Sequence, residues 1–166
     1  MITCYFPGKK KVSLRHITVN GLIVDKNKIL LVKRNPKSFR EPNKWTIPGG
    51  YLGKDENMKQ GLVREVLEES GYQTEVIELF RINDNPYRKG DEKKQNVTII
   101  FLMKPVKKTS GFDQEITEVK WFDLNNLPDE KQTAFDHFKD FLLLKQYLKK
   151  PFKLPILTDR DLSVRS

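Results

Sequence analysis

The chain has 166 residues, 31 of them Lys or Arg and 22 Asp or Glu, for a formal net charge of +9 at pH 7. That length suits one domain with its own core, 37% hydrophobic and 32% charged residues are ordinary for a soluble globular protein, and no apolar run approaches the roughly 20 residues of a membrane span. Cys4 is the sole cysteine, which excludes an intrachain disulfide and suits a reducing cytoplasm, the expected location.

The opening "MITCYFPGKKKVSLRH" places its lysines after a short apolar patch and is not expected to act as a secretory signal. Residues 16–24, "HITVNGLIV", alternate as a strand, and "DKNK" before "ILLVKR" predicts a turn into an antiparallel partner. After a polar loop at 35–44, "KWTIPGG" reads as a short strand stopped by Pro48 and two glycines, with helical spacing beyond it. Residues 73–83, 95–106 and 117–124 are rich in Val, Ile, Phe and Trp and predict three further strands; "NDNPYRKGDEKKQ" between the first two predicts a mobile loop. Apolar positions Phe135, Phe138, Phe141, Leu142 and Leu144 predict an amphipathic helix from Asp129 to about Lys149. The expected domain is therefore 1–150, with 151–166 as a tail of unassigned packing. Strands around two helices predict an α/β/α arrangement with a mixed sheet between helices.

Charge is unevenly distributed. Residues 1–50 carry 11 basic against 2 acidic side chains, the whole of the net excess, and such a surface attracts anions. The helix that follows Pro48 and the two glycines is instead acidic on one face. At 100° per residue Glu65, Glu68 and Glu69 share one face, while Leu62, Val63, Val66 and Leu67 occupy an adjoining sector. Three clustered carboxylates repel one another, and an all-oxygen donor set favours Mg²⁺ or Mn²⁺ over zinc. Arg64 is placed to orient a carboxylate by forked hydrogen bonds. Solvated glutamates chosen for helix propensity are the plainer reading of such a run in isolation.

The spacing decides between them. Gly50, Glu56, Arg64, Glu65, Glu68, Glu69 and Gly71 satisfy G-x5-E-x7-R-E-U-x-E-E-x-G-U, where U is bulky and apolar, a chance match of order one in a million. The chain thereby resembles the Nudix hydrolases. Tyr72 departs from the last apolar position, and Gly61 stands where related sequences usually have alanine. "WTIPGG", "EVKWFDLNNLP" and the closing helix extend the likeness to roughly residues 14–148. The resemblance implies metal-dependent hydrolysis of a diphosphate linkage in a nucleoside diphosphate derivative, ADP-ribose-like or a nucleoside triphosphate. It further implies that Glu65, Glu68 and Glu69, with the Gly49 carbonyl, ligate Mg²⁺ or Mn²⁺, and that Arg64 and Glu56 brace helix and loop beside the structural glycines Gly50 and Gly71. The general base is then Glu65 or, from the loop before the strand "EVKWFDL", Glu115.

Arg15, Lys33, Arg34 and Arg40 are candidates for phosphate contact. Trp45, Trp121 and Phe122 read as core rather than base-stacking residues, and His16 and His137 as structural. Two alternatives from other classes are a catalytically inactive Nudix-like regulatory domain and a protein binding RNA caps or nucleic acid. The first is disfavoured because no glutamate of the motif is missing, the second because the aromatic and glycine signatures of common RNA folds are absent. The expected partner is a small nucleotide-type molecule rather than a membrane, and the sequence is compatible with a homodimer.

Overall fold

Alternating apolar residues make Ile17–Asp25 (β3) a strand with two buried faces. The computed structural model, which describes residues 2–8, 10–88, 96–109 and 111–157, arranges the protein around it. Val19, Gly21 and Ile23 face helix α1 (Met58–Ser70), where Leu62 and Val66 complete one apolar cluster. Leu22 faces the other way, into a cluster with Phe141, Leu143 and Leu144 of helix α2 (His137–Lys149). The sheet therefore lies between two helices, as expected. A Cβ on Gly21 would stand 2.6 Å from Met103 Sδ and 3.4 Å from Val66 Cγ2, so the glycine is what lets α1 close on the strand. Emptying either cluster by a Leu→Ala change costs about 2–5 kcal/mol.

Along one edge, β3 pairs in parallel with β8 (Val97–Lys108), which is antiparallel to β7 (Tyr72–Asn83). On its other edge β3 changes partner. Only Val24 and Asp25 pair with β4 (Lys28–Arg34), across the turn; residues 18–20 pair instead with β6 (Gly49–Tyr51). Strand β4 meanwhile pairs with β5 (Trp45–Thr46) and, on its full length, with β9 (Ile116–Asp123). The two strands of the hairpin thus splay apart away from their turn, and the segment from Trp45 to Tyr51 crosses the gap, held by Gly21 N–H donating to the Pro48 carbonyl at 2.9 Å.

The predicted strands are present within one to three residues of their expected ends. Three features differ. The glycines expected to stop a strand form β6 themselves, because Gly49 adopts φ 147° and passes against the backbone of Val19 and Asn20, where a Cβ would meet Val19 O at 2.2 Å. Helix α1 begins only at Met58, capped by Asn57, whose Oδ1 accepts from Lys59 N–H and Gln60 N–H while Gln60 Oε1 accepts from Asn57 N–H. Helix α2 begins at His137 rather than Asp129: Trp45 N–H donates to Gln132 O and Ala134 N–H to Trp45 O, so this segment spends its backbone groups on β5, and Phe135 at φ 55° separates it from the helix.

A hairpin of β1 (Ile2–Phe6) and β2 (Lys10–Leu14) precedes the main sheet. Beyond α2, Phe152, Leu154 and Ile156 join the α2-side cluster, and β10 (Ile156–Leu157) adds in parallel to β7. The remainder of the expected tail, 158–166, and residues 89–95 of the expected mobile loop lie outside the described residues. No described helix is long and apolar enough to cross a membrane.

Candidate active site

The splay between β3 and β4 opens a cavity of about 810 Å³. Its walls come from elements far apart in sequence: Thr18 and Asn20 on β3, Arg34 on β4, Gly49 and Gly50 on β6, Glu69 on α1, Glu115 before β9, and Phe135 and His137 at the start of α2.

The three glutamates of the acidic helix occupy graded environments rather than one uniform face. Glu68 is exposed, Glu65 half-buried and Glu69 buried at 6% exposure. Glu69 Oε2 accepts the Gly49 N–H at 2.8 Å. Burial pushes the Glu69 carboxyl up to about 8, opposed by that hydrogen bond and reinforced by Glu65. Burial raises Glu65 as well, against the pull of Arg64.

Arg64 is the positive centre of the cluster. Its Nε and Nη2 fork onto Glu56 at 3.1 and 2.8 Å, and its Nη1 reaches Glu65 and Glu68, each at 3.0 Å. That fork, with the Gly53 N–H, holds the Glu56 carboxyl down to about 2. The environment explains Gly61: a Cβ there would lie 2.8 Å from Glu56 Oε1, so alanine would press on the braced carboxylate. Tyr72 is explained too, because its hydroxyl accepts the Trp121 indole N–H at 3.1 Å, a bond that a purely apolar residue would forgo.

Among the described residues, no three Asp, Glu, His or Cys side chains are grouped closely enough to cage an ion as they stand, since Arg64 and Gly49 engage the glutamates. The donor chemistry nevertheless fits a hard divalent cation. Burial raises the cost of ionising both Glu69 and Glu65, Glu65 adds to that of Glu69, and only oxygen donors are offered. The approach is tight: a Cβ on Gly50 would lie 2.5 Å from the Glu65 carboxylate.

Of the four basic candidates, the structure brings two to the cavity. Arg34 and Arg40 line it, their guanidinium carbons 5.4 and 5.5 Å from the Phe135 ring centre. Lys33, one residue out of phase with Arg34, pairs with Glu118 at 2.6 Å and lies over Trp45. Arg15 donates to the carbonyls of Asp84 and Asn96 at 2.7 and 3.0 Å, closing the base of the β7–β8 connection. Trp45 and Phe122 form an edge-to-face pair at 4.8 Å and pack on the core, in keeping with their structural reading.

The loop carrying Glu115 is tied down on two sides. Asp113 N–H donates to Glu68 O at 2.9 Å, Asn35 donates from its backbone to Glu115 O and from its side chain to Gln114 O, each at 2.8 Å, and Asp113 Oδ1 accepts the Glu115 N–H. Glu115 and Glu69 therefore share a wall before anything binds. Sequence reasoning missed Thr18, Asn20, Arg88, Thr98 and Phe135 and gave His137 no part in a site. They come from separate elements and have no common spacing to betray them. His137 is buried, its Nδ1 2.7 Å from the Thr46 hydroxyl, and burial lowers it to about 3.

Comparison with known proteins agrees with this arrangement. The NUDIX domain family model matches residues 14–151. The chain is 32% identical over 133 residues to the ADP-ribose pyrophosphatase of Methanocaldococcus jannaschii, covering 80% of this chain and 73% of that protein. It is 33% identical over 147 residues to nucleoside diphosphate-linked moiety X motif 6 of Xenopus laevis, covering 87% and 66%. In fold, it resembles a Nudix hydrolase from Nitrosomonas europaea with a TM-score of 0.72 at 24% identity, over 92% of this chain and 85% of that one. With a complete Gly50–Tyr72 motif, its glutamates set against Gly49 and Gly50 beside a cavity, the chain belongs to the Nudix family and is a pyrophosphohydrolase.

Proposed function

We propose that the chain hydrolyses the diphosphate linkage of a nucleoside diphosphate joined to a second group, using Mg²⁺ or Mn²⁺ held by Glu65, Glu68 and Glu69 with the Gly49 carbonyl. The observation that carries this reading is Glu69, a carboxyl buried to 6% exposure against Gly49 and beside Glu65, at the wall of a cavity whose rim holds Arg34 and Arg40. A protein places a carboxylate so unfavourably where a cation restores the balance. The relative named an ADP-ribose pyrophosphatase makes ADP-ribose the first substrate to assay.

When bound, the divalent ion supplies the positive charge that offsets the diphosphate and its leaving group. The chain's own residues do the rest. Arg64 fixes the directions of Glu65 and Glu68, and Glu56 fixes Arg64. Arg34 and Arg40 attract and hold phosphate oxygens at the rim. Glu115 takes a proton from the attacking water; it is favoured over Glu65 because it lines the cavity while Glu65 is engaged by Arg64. Water adds to one phosphorus, the bridging P–O bond breaks, and a nucleoside monophosphate and the phosphorylated second group leave.

The test is a panel of ADP-ribose, dinucleoside polyphosphates, nucleotide sugars and ordinary and oxidised deoxynucleoside triphosphates, each with Mg²⁺ and with Mn²⁺. Hydrolysis of at least one, abolished by chelator, is expected. Full activity in excess chelator, or inertness toward the whole panel, would refute the reading.

A further inference from the structure

One wall of the cavity is not used by the diphosphate chemistry. Thr18, Asn20, Arg88, Thr98 and His137 line it, none more than 8% exposed. Arg88 is the least expected of them: a guanidinium at 6% exposure, in the connection after β7. Its Nη1 donates to the Thr98 hydroxyl, which shares a 2.9 Å hydrogen bond with the Thr18 hydroxyl. Its Nη2 lies 3.0 Å from Asp136 Oδ1, and Asp136 Oδ2 accepts from Asn83 Nδ2 at 2.6 Å. The Arg88 Nε has no hydrogen-bond partner among the described residues.

Holding Arg88 there costs the chain something nearby. Asp136 is at the N-cap of α2 but its side chain makes no capping hydrogen bond, and Phe135 beside it is held at φ 55°. A carboxylate withdrawn from a helix end, next to a residue in the left-handed region, marks a guanidinium that is placed rather than merely packed.

The chemistry of the wall selects its ligand. Asp136 neutralises Arg88, so the wall carries no surplus charge to attract a phosphate. It combines donors with acceptors. The Asn20 amide and the Thr18 and Thr98 hydroxyls carry donor and acceptor atoms alike, while Arg88 only donates. Sugar hydroxyls do both, whereas phosphate oxygens only accept.

Resting on the hydrolase reading above, we infer that this wall is a sugar-hydroxyl subsite in which Arg88 is a specificity-determining residue. It takes the hydroxylated, non-nucleotide half of a nucleoside diphosphate sugar. The base is left to the rim, where Phe39, 93% exposed, offers a stacking face.

Hydrolysis of ADP-ribose yields AMP and ribose 5-phosphate, so product inhibition separates the two halves. With the full chain and Mg²⁺, Arg88→Gln should weaken inhibition by ribose 5-phosphate roughly 10–100-fold, the loss expected for a hydrogen bond from a charged group, and Thr98→Val should weaken it several-fold. The KM for ADP-ribose rises more than kcat falls, while inhibition by AMP stays within about twofold. Equal weakening of both products, weakening of AMP alone, or unchanged ribose 5-phosphate inhibition would overturn the assignment. Thr98→Val removes one hydroxyl at constant shape and decides the matter if Arg88→Gln does not fold. Should the parent hydrolyse no nucleoside diphosphate derivative, the hydrolase reading fails on its own. Calorimetric titration of ribose 5-phosphate into parent and Thr98→Val then still decides the subsite: binding that the variant weakens supports it, and absence of binding to the parent refutes it.

Discussion

In a Glu69→Gln protein the amide oxygen still accepts the Gly49 N–H, a bond of 2.8 Å in the parent, but the buried negative charge is gone. The parent carboxyl rises from its ordinary 4.5 to about 8 through burial, so without metal the folded protein holds this proton more tightly than the unfolded chain. The associated stabilisation is complete below pH 4.5 and is lost as pH rises through 8. At 1.36 kcal/mol per unit, the loss is about 5 kcal/mol over the whole window, and about 3 kcal/mol between pH 5 and pH 7.5. Glutamine does not titrate. Urea unfolding in EDTA should therefore show the variant gaining about 3 kcal/mol on the parent between those two pH values; His137 titrates in both proteins and cancels in the difference. Adding Mg²⁺ should restore the parent, by about 2.7 kcal/mol at a hundredfold excess over its dissociation constant, and leave the variant almost unmoved. Turnover should drop by orders of magnitude. Parallel stability curves in EDTA across this pH range, or equal stabilisation of both proteins by Mg²⁺, would refute the argument that a cation compensates this carboxylate.

For Glu115→Gln, kcat should fall roughly 10²–10⁴-fold with KM within about threefold, and the acidic limb of the pH–rate profile should change; a wild-type profile moves the base to Glu65. Gly50→Ala places a Cβ 2.5 Å from the Glu65 carboxylate, a movable side-chain end, so the Mg²⁺ half-saturation should rise with little change in Tm. Gly49→Ala meets the Val19 carbonyl at 2.2 Å from a backbone at φ 147°, so several kcal/mol of stability should be lost in urea unfolding; equal effects at the two glycines would contradict the geometry. His137, lowered to about 3 by burial, stays neutral while the unfolded chain protonates near 6.5, so stability is lost as pH falls through that window, about 2 kcal/mol by pH 5. His137→Asn should flatten that part of the stability–pH curve.

What the sequence settled by itself is what repeats locally. The strands of the main sheet were legible because alternation has a period of two, and the acidic helix because spacings of three and four return a residue to one face. The family was legible from Gly50 to Tyr72 because its functional groups sit at fixed intervals on one loop and one helix. Where backbone groups are spent on distant partners, local pattern misleads: apolar spacing extends α2 back to Asp129, yet hydrogen bonds with Trp45 keep 132–134 out of the helix. The inequality of the three glutamates was likewise invisible, since burial depends on Gly49 and Gly50 arriving from β6. Lys33 and Arg34 are neighbours in sequence, but the pleat sends one to Glu118 and the other to the cavity. The wall of Thr18, Arg88, Thr98 and His137 draws on four separate segments, joined by the parallel pairing of β3 with β8 and by an aspartate turned from its helix end. No spacing encodes such a wall, because its hydrogen bonds span 10 to 91 residues and exist only once the sheet has closed.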